Sequence, residues 1–265
     1  MSSVAIPEIS AEAESRAPQP LAPLWMTACF CIVLIAFTAL AATRRIIGIQ
    51  PGYSHHAITY LSQILSGWLL LGATVSTIYH RRTFFRQSLL RNARPWRIEA
   101  ARGFVLFLAL TTGFGVIRAL TTGALGRVLK AIDQRLNVSH SASLQLAPAS
   151  ASDLLLWVIV SVTAAFCEEV IFRGYLLRQC ITAVRRAGLS ERTAAIVSVV
   201  LTALAFGAMH LYEGTQSALS IVLLGAAYAV VALRSGNLRT VIVAHFLQDA
   251  LFGLFVYLYY FARTA

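Results

Sequence analysis

The chain is divided by apolar stretches long enough to cross a bilayer, near Leu24–Ala42, Ile58–Tyr79, Gly103–Leu120, Leu154–Leu177, Thr193–Leu211, Ala218–Leu233 and Thr240–Phe261. About 20 mainly apolar residues span a hydrocarbon core of about 30 Å. Inside hydrocarbon every backbone N–H and C=O must find its partner within the segment, so spans of this length fold as helices. Charged residues make up only 12% of the 265, about half the share of a soluble domain. A water-soluble globule is excluded. The expected fold is all-α, a polytopic membrane bundle of about seven transmembrane helices.

Between the third and fourth stretches, Leu125, Val128, Leu129, Ile132 and Leu136 form an i, i+3, i+4, i+7 stripe, with Arg127, Lys130, Asp133 and Arg135 on the other face. That pattern predicts an amphipathic helix lying in the membrane interface; inserted instead, it would be an eighth span. Residues 1–22, rich in Ala, Ser, Pro and Glu, read as a disordered cytoplasmic tail without the basic start of a cleaved signal peptide. Residues 23–151 then form an N-terminal set of transmembrane helices with the interfacial helix, and 152–265 a second transmembrane unit. Cys29, Cys31, Cys167 and Cys180 lack metal-site or disulfide spacing and read as small core residues.

The net charge of +11 comes from 22 basic and 11 acidic residues. These basic residues punctuate apolar segments instead of lining a polar surface, which argues for membrane topology and against nucleic-acid binding. Basic residues near span ends favour the cytoplasm. With the N-terminus inside, cytoplasmic segments hold 14 of them and outer segments six. We therefore expect a multi-pass protein of a bacterial cytoplasmic membrane, N-terminus cytoplasmic, with the Arg81–Arg102 and Arg178–Arg192 loops on the same side. A cysteine introduced at Ser88 should then escape labelling from outside.

Chemistry is expected in the second half, which carries the intramembrane acids Glu168, Glu169 and Asp249. A charge in a span costs a few kcal/mol or more, so each needs a reason to be there. Glu169 and Arg173 are spaced i, i+4 and can neutralise each other on one helical face. Glu168 is turned about 100° away, free to face something else. Phe206-Gly207-Ala208-Met209-His210 closes the fifth span, and in the seventh His245 and Asp249 again share a face at i, i+4. Glutamates, two histidines and an aspartate on three spans make a candidate catalytic set.

The motifs E-E-x-x-x-R at Glu168 to Arg173, F-x-x-x-H at Phe206 to His210 and H-x-x-x-D at His245 to Asp249, in this order, resemble those of the CPBP family. That family comprises CAAX-prenyl proteases, bacteriocin-processing and immunity proteins and abortive-infection-like proteins. Leu224–Tyr228 and the turn Arg234–Leu238 also resemble the family, and the resemblance covers about residues 152 to 255. It implies an intramembrane endopeptidase of glutamate type acting on a membrane-associated protein or peptide in the lipid bilayer, with no cofactor and no metal. Glu168 would be the general base, His210 the partner that positions water, and Glu169 with Arg173 a secondary acidic pair. His245 and the last-motif residue would form an oxyanion site, with Phe206 supporting. Asp249 stands where the family often has Asn. An ionised carboxylate cannot donate to an oxyanion, so its expected task is to orient His245.

For straight upright helices entering from one side, His210 and His245 would differ in depth by roughly 20 Å at about 1.5 Å per residue. Two other readings compete. Two His and a Glu are also a zinc set, although H-E-x-x-H is absent, so a metal-dependent membrane protease is the near alternative. A transporter would more readily show internal repeats, which are not visible here; a non-catalytic immunity or scaffold protein would tolerate loss of Glu168.

Overall fold

The computed structural model describes residues 19–46, 56–121, 123–135 and 148–264, and within these the chain is helical throughout without strands. The helices are α1 (Leu24–Ile46), α2 (His56–Ser76), α3 (Arg81–Leu89), α4 (Trp96–Thr121), α5 (Ala124–Arg135), α6 (Ala151–Glu169), α7 (Leu177–Arg186), α8 (Glu191–Met209), α9 (Thr215–Ser235) and α10 (Arg239–Thr264). Among the described residues, five helical runs are long and apolar enough to span a membrane: α2, the continuous run Ala151–Arg186, α8, α9 and α10 as far as Tyr259. Of the other two expected spans, α1 supplies a shorter apolar stretch, Leu24–Ala36. In α4 the apolar run is flanked by Arg97, Glu99, Arg102 and Arg118. The molecule is an all-α polytopic bundle and an integral membrane protein.

Its outer surface is that of a lipid-bathed bundle: Ile32, Leu65, Ile159, Leu204 and Phe255 are all exposed. With lipid as apolar as leucine, helices associate through close van der Waals approach at small residues. A Cβ on Gly207 of α8 would stand 2.3 Å from Val222 Cγ2 and 2.8 Å from the Ala218 carbonyl of α9. Gly207→Ala should therefore force α8 and α9 apart and cost about 1–3 kcal/mol, read as a lower thermal midpoint in detergent; an unchanged midpoint would show that this contact is loose.

The core lies around a π-helical segment, Val170–Leu176, that joins α6 to α7 and whose seven residues are all buried. Phe84, Phe172, Tyr175, Phe206, Tyr228 and Leu238 pack together there. A helical stretch apolar on every side is stable only when neighbours cover it. Here α2, α3, α8 and α9 all pack against it.

Residues 1–18 of the expected tail, and Leu136 of the amphipathic stripe, lie outside the described residues. Leu21 and Ala22, assigned to the tail by composition, are docked: the Gln179 side chain accepts from the Leu21 N–H at 2.8 Å and donates to the Ala22 carbonyl at 3.0 Å. Helix α5 forms as its periodicity implies, but Asp133 on its polar face is buried, accepting from the Thr215 N–H at 2.8 Å. That carboxylate meets the positive N-terminal end of α9, while Val128 and Ile132 remain exposed. Of the cysteines only Cys167 is buried, and Cys29 is exposed.

Ser88, taken from the sequence as a loop position, is completely buried in α3, where its carbonyl accepts from the Leu238 N–H at 2.8 Å. A better topology reporter is exposed Gln87. In a cysteine-free background, Gln87→Cys should resist an impermeant maleimide in intact cells and react after permeabilisation; reaction in intact cells reverses the orientation.

The turn joining α9 to α10 is closed by Gly236 at φ 73°, whose N–H donates to the Ala232 carbonyl, a left-handed position that glycine adopts without steric cost. Buried Glu99 ties the start of α4 to this turn, accepting from the Thr240 hydroxyl and the Arg94 N–H and lying 3.6 Å from Arg102. Burial alone would raise its carboxyl, but these donors together hold it below the ordinary carboxylate range. A carboxyl lowered by folding contributes stability above its unfolded pKa, lost as pH falls through the folded value. Acidification below about pH 4 should therefore loosen the α4–α10 junction in the wild type, and Glu99→Gln should remove that part of the acid dependence in a thermal-midpoint series against pH.

Candidate functional site

The site forms where α6 meets the π segment, flanked by α8, α9 and α10. Glu169 is fully buried and its Oε1 receives two hydrogen-bonding groups, Arg173 Nη1 at 2.6 Å and His245 Nδ1 at 2.8 Å. The i, i+4 pair read from the sequence thus forms, and it has a third member that the sequence did not indicate. The Arg173 guanidinium also lies over the Phe206 ring at 4.3 Å and the Tyr228 ring at 5.5 Å. Glycine at 225 makes room for it, because a Cβ there would stand 3.2 Å from Arg173 Nη2. Two charges taken out of water need this degree of partnering.

His245 Nε2 faces the opposite way. Asp249 Oδ2 is 3.4 Å from it and Glu168 Oε2 is 3.9 Å. The imidazole thus bridges a sealed carboxylate, Glu169, and two accessible ones. About a third of the Glu168 and Asp249 side chains remains exposed, against 6% for His245. A cleft with carboxylates on its open side is a place where water can be held and deprotonated.

His210 ends α8, its Nδ1 2.8 Å from the Phe206 carbonyl. A carbonyl only accepts, so Nδ1 carries the proton and Nε2 is left as the acceptor in the neutral ring. The ring packs on Phe206 at 4.9 Å and stacks on Tyr212 at 5.9 Å. Phe206 also meets His245 edge-on at 6.2 Å, so both histidines pack on one aromatic ring. His210, His245 and Asp249 all act electrostatically on Glu168.

The wide separation in depth expected for His210 and His245 is absent. Phe172 packs on Phe206 at 5.0 Å, and α6 and α8 run antiparallel, so four residues further along α8 His210 is brought to the level of Glu168, four residues back. Helix α10, by contrast, starts far along the partner helix: Leu238 packs against Gly174, twelve residues before the end of α7 at Arg186. At about 1.5 Å per residue, α7 and the start of α8 project roughly 18 Å past the α9–α10 turn. The figure of roughly 20 Å holds only for upright helices that begin at one plane, and these do not.

Several neighbours had no assigned role. The Tyr228 ring packs 5.8 Å from His245 and its hydroxyl has no hydrogen-bond partner among the described residues. Trp157 Nε1 donates to the Asp249 carbonyl at 2.8 Å, tying α10 to α6 at the residue that supplies one of the two accessible carboxylates. Tyr212 and Glu213, hydrogen-bonded to each other, act on Glu168 and Asp249. Burial raises the Glu213 carboxyl above its ordinary range, partly offset by His210 and the Tyr212 hydroxyl. The only sequence signal for these was adjacency to a motif residue. Among the described residues, no three His, Cys, Asp or Glu side chains are grouped to hold a metal ion.

Residues 150–251 match the family model Type II CAAX prenyl endopeptidase Rce1-like. No curated protein and no solved structure matches the chain. Over this segment the chain is similar to that family, a likeness consistent with a CPBP family intramembrane protease. The segment contains Glu168, Glu169, Arg173, Phe206, His210, His245 and Asp249, and the match supports an intramembrane CAAX-type protease.

Proposed function

From this match and the geometry, we infer a membrane protease of glutamate type that hydrolyses a peptide bond of a membrane-associated substrate, with Glu168 and His210 activating water. The observation that carries the reading is the division of labour between adjacent glutamates. Glu169 is sealed and committed to Arg173 and His245, whereas Glu168 is accessible and, among the described residues, has no cation closer than His245 at 3.9 Å.

In the proposed reaction Glu168 takes a proton from water while the His210 Nε2 lone pair accepts a hydrogen bond from the same molecule. The resulting hydroxide adds to the scissile carbonyl carbon. Negative charge develops on the carbonyl oxygen, and a proton on His245 Nε2 would stabilise it. Glu169, bonded to Nδ1, supports the positive charge on that ring, and Asp249 holds its orientation through the 3.4 Å contact. Collapse of the tetrahedral intermediate breaks the C–N bond, and Glu168 returns the proton to the leaving amine. No bond to the enzyme forms, so Cys167 is not required. The substrate, whether or not it is prenylated, and a bacterial location with cytoplasmic N-terminus remain part of the proposal.

Cleavage of a prenylated CAAX peptide by proteoliposomes tests the reaction, with new termini in membrane proteomes as the substrate-independent readout. Hydrolysis in ¹⁸O-water should label the new carboxyl terminus without a trapped acyl-enzyme. Activity lost to chelators and restored by one metal would replace this reading with the metal-dependent one.

A further inference from the structure

A second groove opens on the molecule away from the carboxylate cleft, between α3, the start of α4 and the first turn of α10. Its lining combines four arginines, Arg81, Arg82, Arg86 and Arg239, with an apolar floor of side chains that includes Phe85, Leu89, Trp96, Phe166 and Ile242. We propose that this groove binds an anionic phospholipid of the surrounding bilayer, its phosphate on the arginines and the upper part of an acyl chain on the floor.

Three observations favour that occupant. The first is charge without compensation: residues 77–102 contain seven arginines and one acid, Glu99, and Glu99 is fully buried and bonded to Thr240 and Arg94. Arg82 and Arg86 are exposed, with no ion-pair partner among the described residues. A phosphate oxyanion is the complement of such a rim, since guanidinium forks match it in charge and geometry.

The second is preorganisation. Arg239 lies flat over the Trp96 ring at 4.4 Å and its Nη1 donates to the Arg94 carbonyl at 3.3 Å, while its buried Nε has no hydrogen-bond partner among the described residues. Arg81 is fixed through Nη2 to the Ser76 carbonyl at 2.8 Å. Two of the four cations are thus held in place before any ligand arrives. The third is the mixed chemistry of the lining, guanidinium groups beside aromatic and aliphatic side chains in a membrane bundle. A soluble anion would leave the apolar floor, including half-exposed Trp96, uncovered. A neutral lipid would leave the arginines unpaired, and juxtamembrane basic groups attract anionic lipid at the bilayer surface.

The groove shares two helices with the carboxylate cleft. Phe166 precedes Glu168 by two residues, and Ile242 precedes His245 by one helical turn. A bound lipid would therefore pack against the helices that carry the candidate catalytic groups.

The test is native mass spectrometry of the purified full chain in an equimolar mixture of dioleoyl phosphatidylglycerol and dioleoyl phosphatidylcholine. The wild type should retain the anionic lipid about tenfold over the zwitterionic one. The Arg82→Gln/Arg86→Gln double variant, altered only at exposed positions, should lose that preference, whereas Arg185→Gln/Arg192→Gln, with the same charge removed elsewhere, should keep it. Circular dichroism of both variants checks that the fold is retained. Equal retention of the two lipids by the wild type overturns the proposal, as does equal loss in both double variants, which would mean diffuse electrostatics. Displacement of the lipid by glycerol 3-phosphate or an acidic peptide at comparable concentration would overturn it in favour of a soluble anion or a polypeptide.

Discussion

Glu168→Gln should lower turnover about 10²-fold or more while leaving the thermal midpoint within a degree or two of wild type. The amide preserves shape and hydrogen bonding but cannot take a proton from water. Glu168 is about a third exposed and, among the described residues, engages no cation closer than 3.9 Å, so its neutralisation removes little that the fold depends on. His210→Ala should be similarly impaired, because the water would lose the Nε2 acceptor. Cys167→Ala, at a buried thiol with no place in the reaction, should retain activity. A Glu168→Gln protein that cleaves at the wild-type rate would remove the carboxylate from the mechanism and return weight to a non-catalytic scaffold.

Arg173→Ala should produce the largest loss of stability, about 3–5 kcal/mol, a fall of roughly 10 °C in midpoint. Removing the guanidinium leaves Glu169 fully buried with only His245 to answer its charge, and one of its carboxylate oxygens already has no partner among the described residues. The cation that packs on Phe206 and Tyr228 disappears at the same time. Arg173→Lys keeps the charge but not the planar stacking and should fall between the two. Removing both charges with Glu169→Gln/Arg173→Met should destabilise less than Arg173→Ala alone; if the double variant is the worse, the pair is not a charge-compensating unit.

These two expectations separate neighbouring glutamates that one motif presents as equivalents. The sequence already distinguished them by angle, since i, i+4 spacing fixes which carboxylate can reach Arg173 on the same helix. It did not contain the His245 Nδ1 contact to Glu169, a pairing across 76 residues, because no local spacing encodes which face of α10 turns to α6. The Asp249–His245 relation was legible for the same reason as the first pair, and the structure gives it a longer contact of 3.4 Å.

Several expectations that the structure corrects share one reason. Polarity was taken as a sign of exposure at Ser88 and Asp133, yet both are buried, Asp133 because a helix N-terminus supplies backbone donors to a carboxylate. Composition assigned Leu21 and Ala22 to a tail, but Gln179 of α7 binds their backbone. Leu238 binds the Ser88 carbonyl, Thr215 the Asp133 carboxylate and Gln179 the Leu21 and Ala22 backbone, all across long stretches of sequence, and periodicity has no access to remote partners.

The sequence by itself determined that the chain is a helical membrane bundle, because hydrocarbon-length apolar runs leave the backbone no other way to satisfy its hydrogen bonds. It also determined which residues could carry chemistry, because a charge within a span is too costly to persist without a task or a partner. Only the tertiary structure decided the levels at which the helices meet. Small residues such as Gly207 and Gly174 set how closely and at what height one helix packs on the next, and that offset brings both His210 and His245 against a single phenylalanine ring. Helix length fixes distances along one axis; the relative height of two axes comes from side-chain packing between them, which local sequence does not specify.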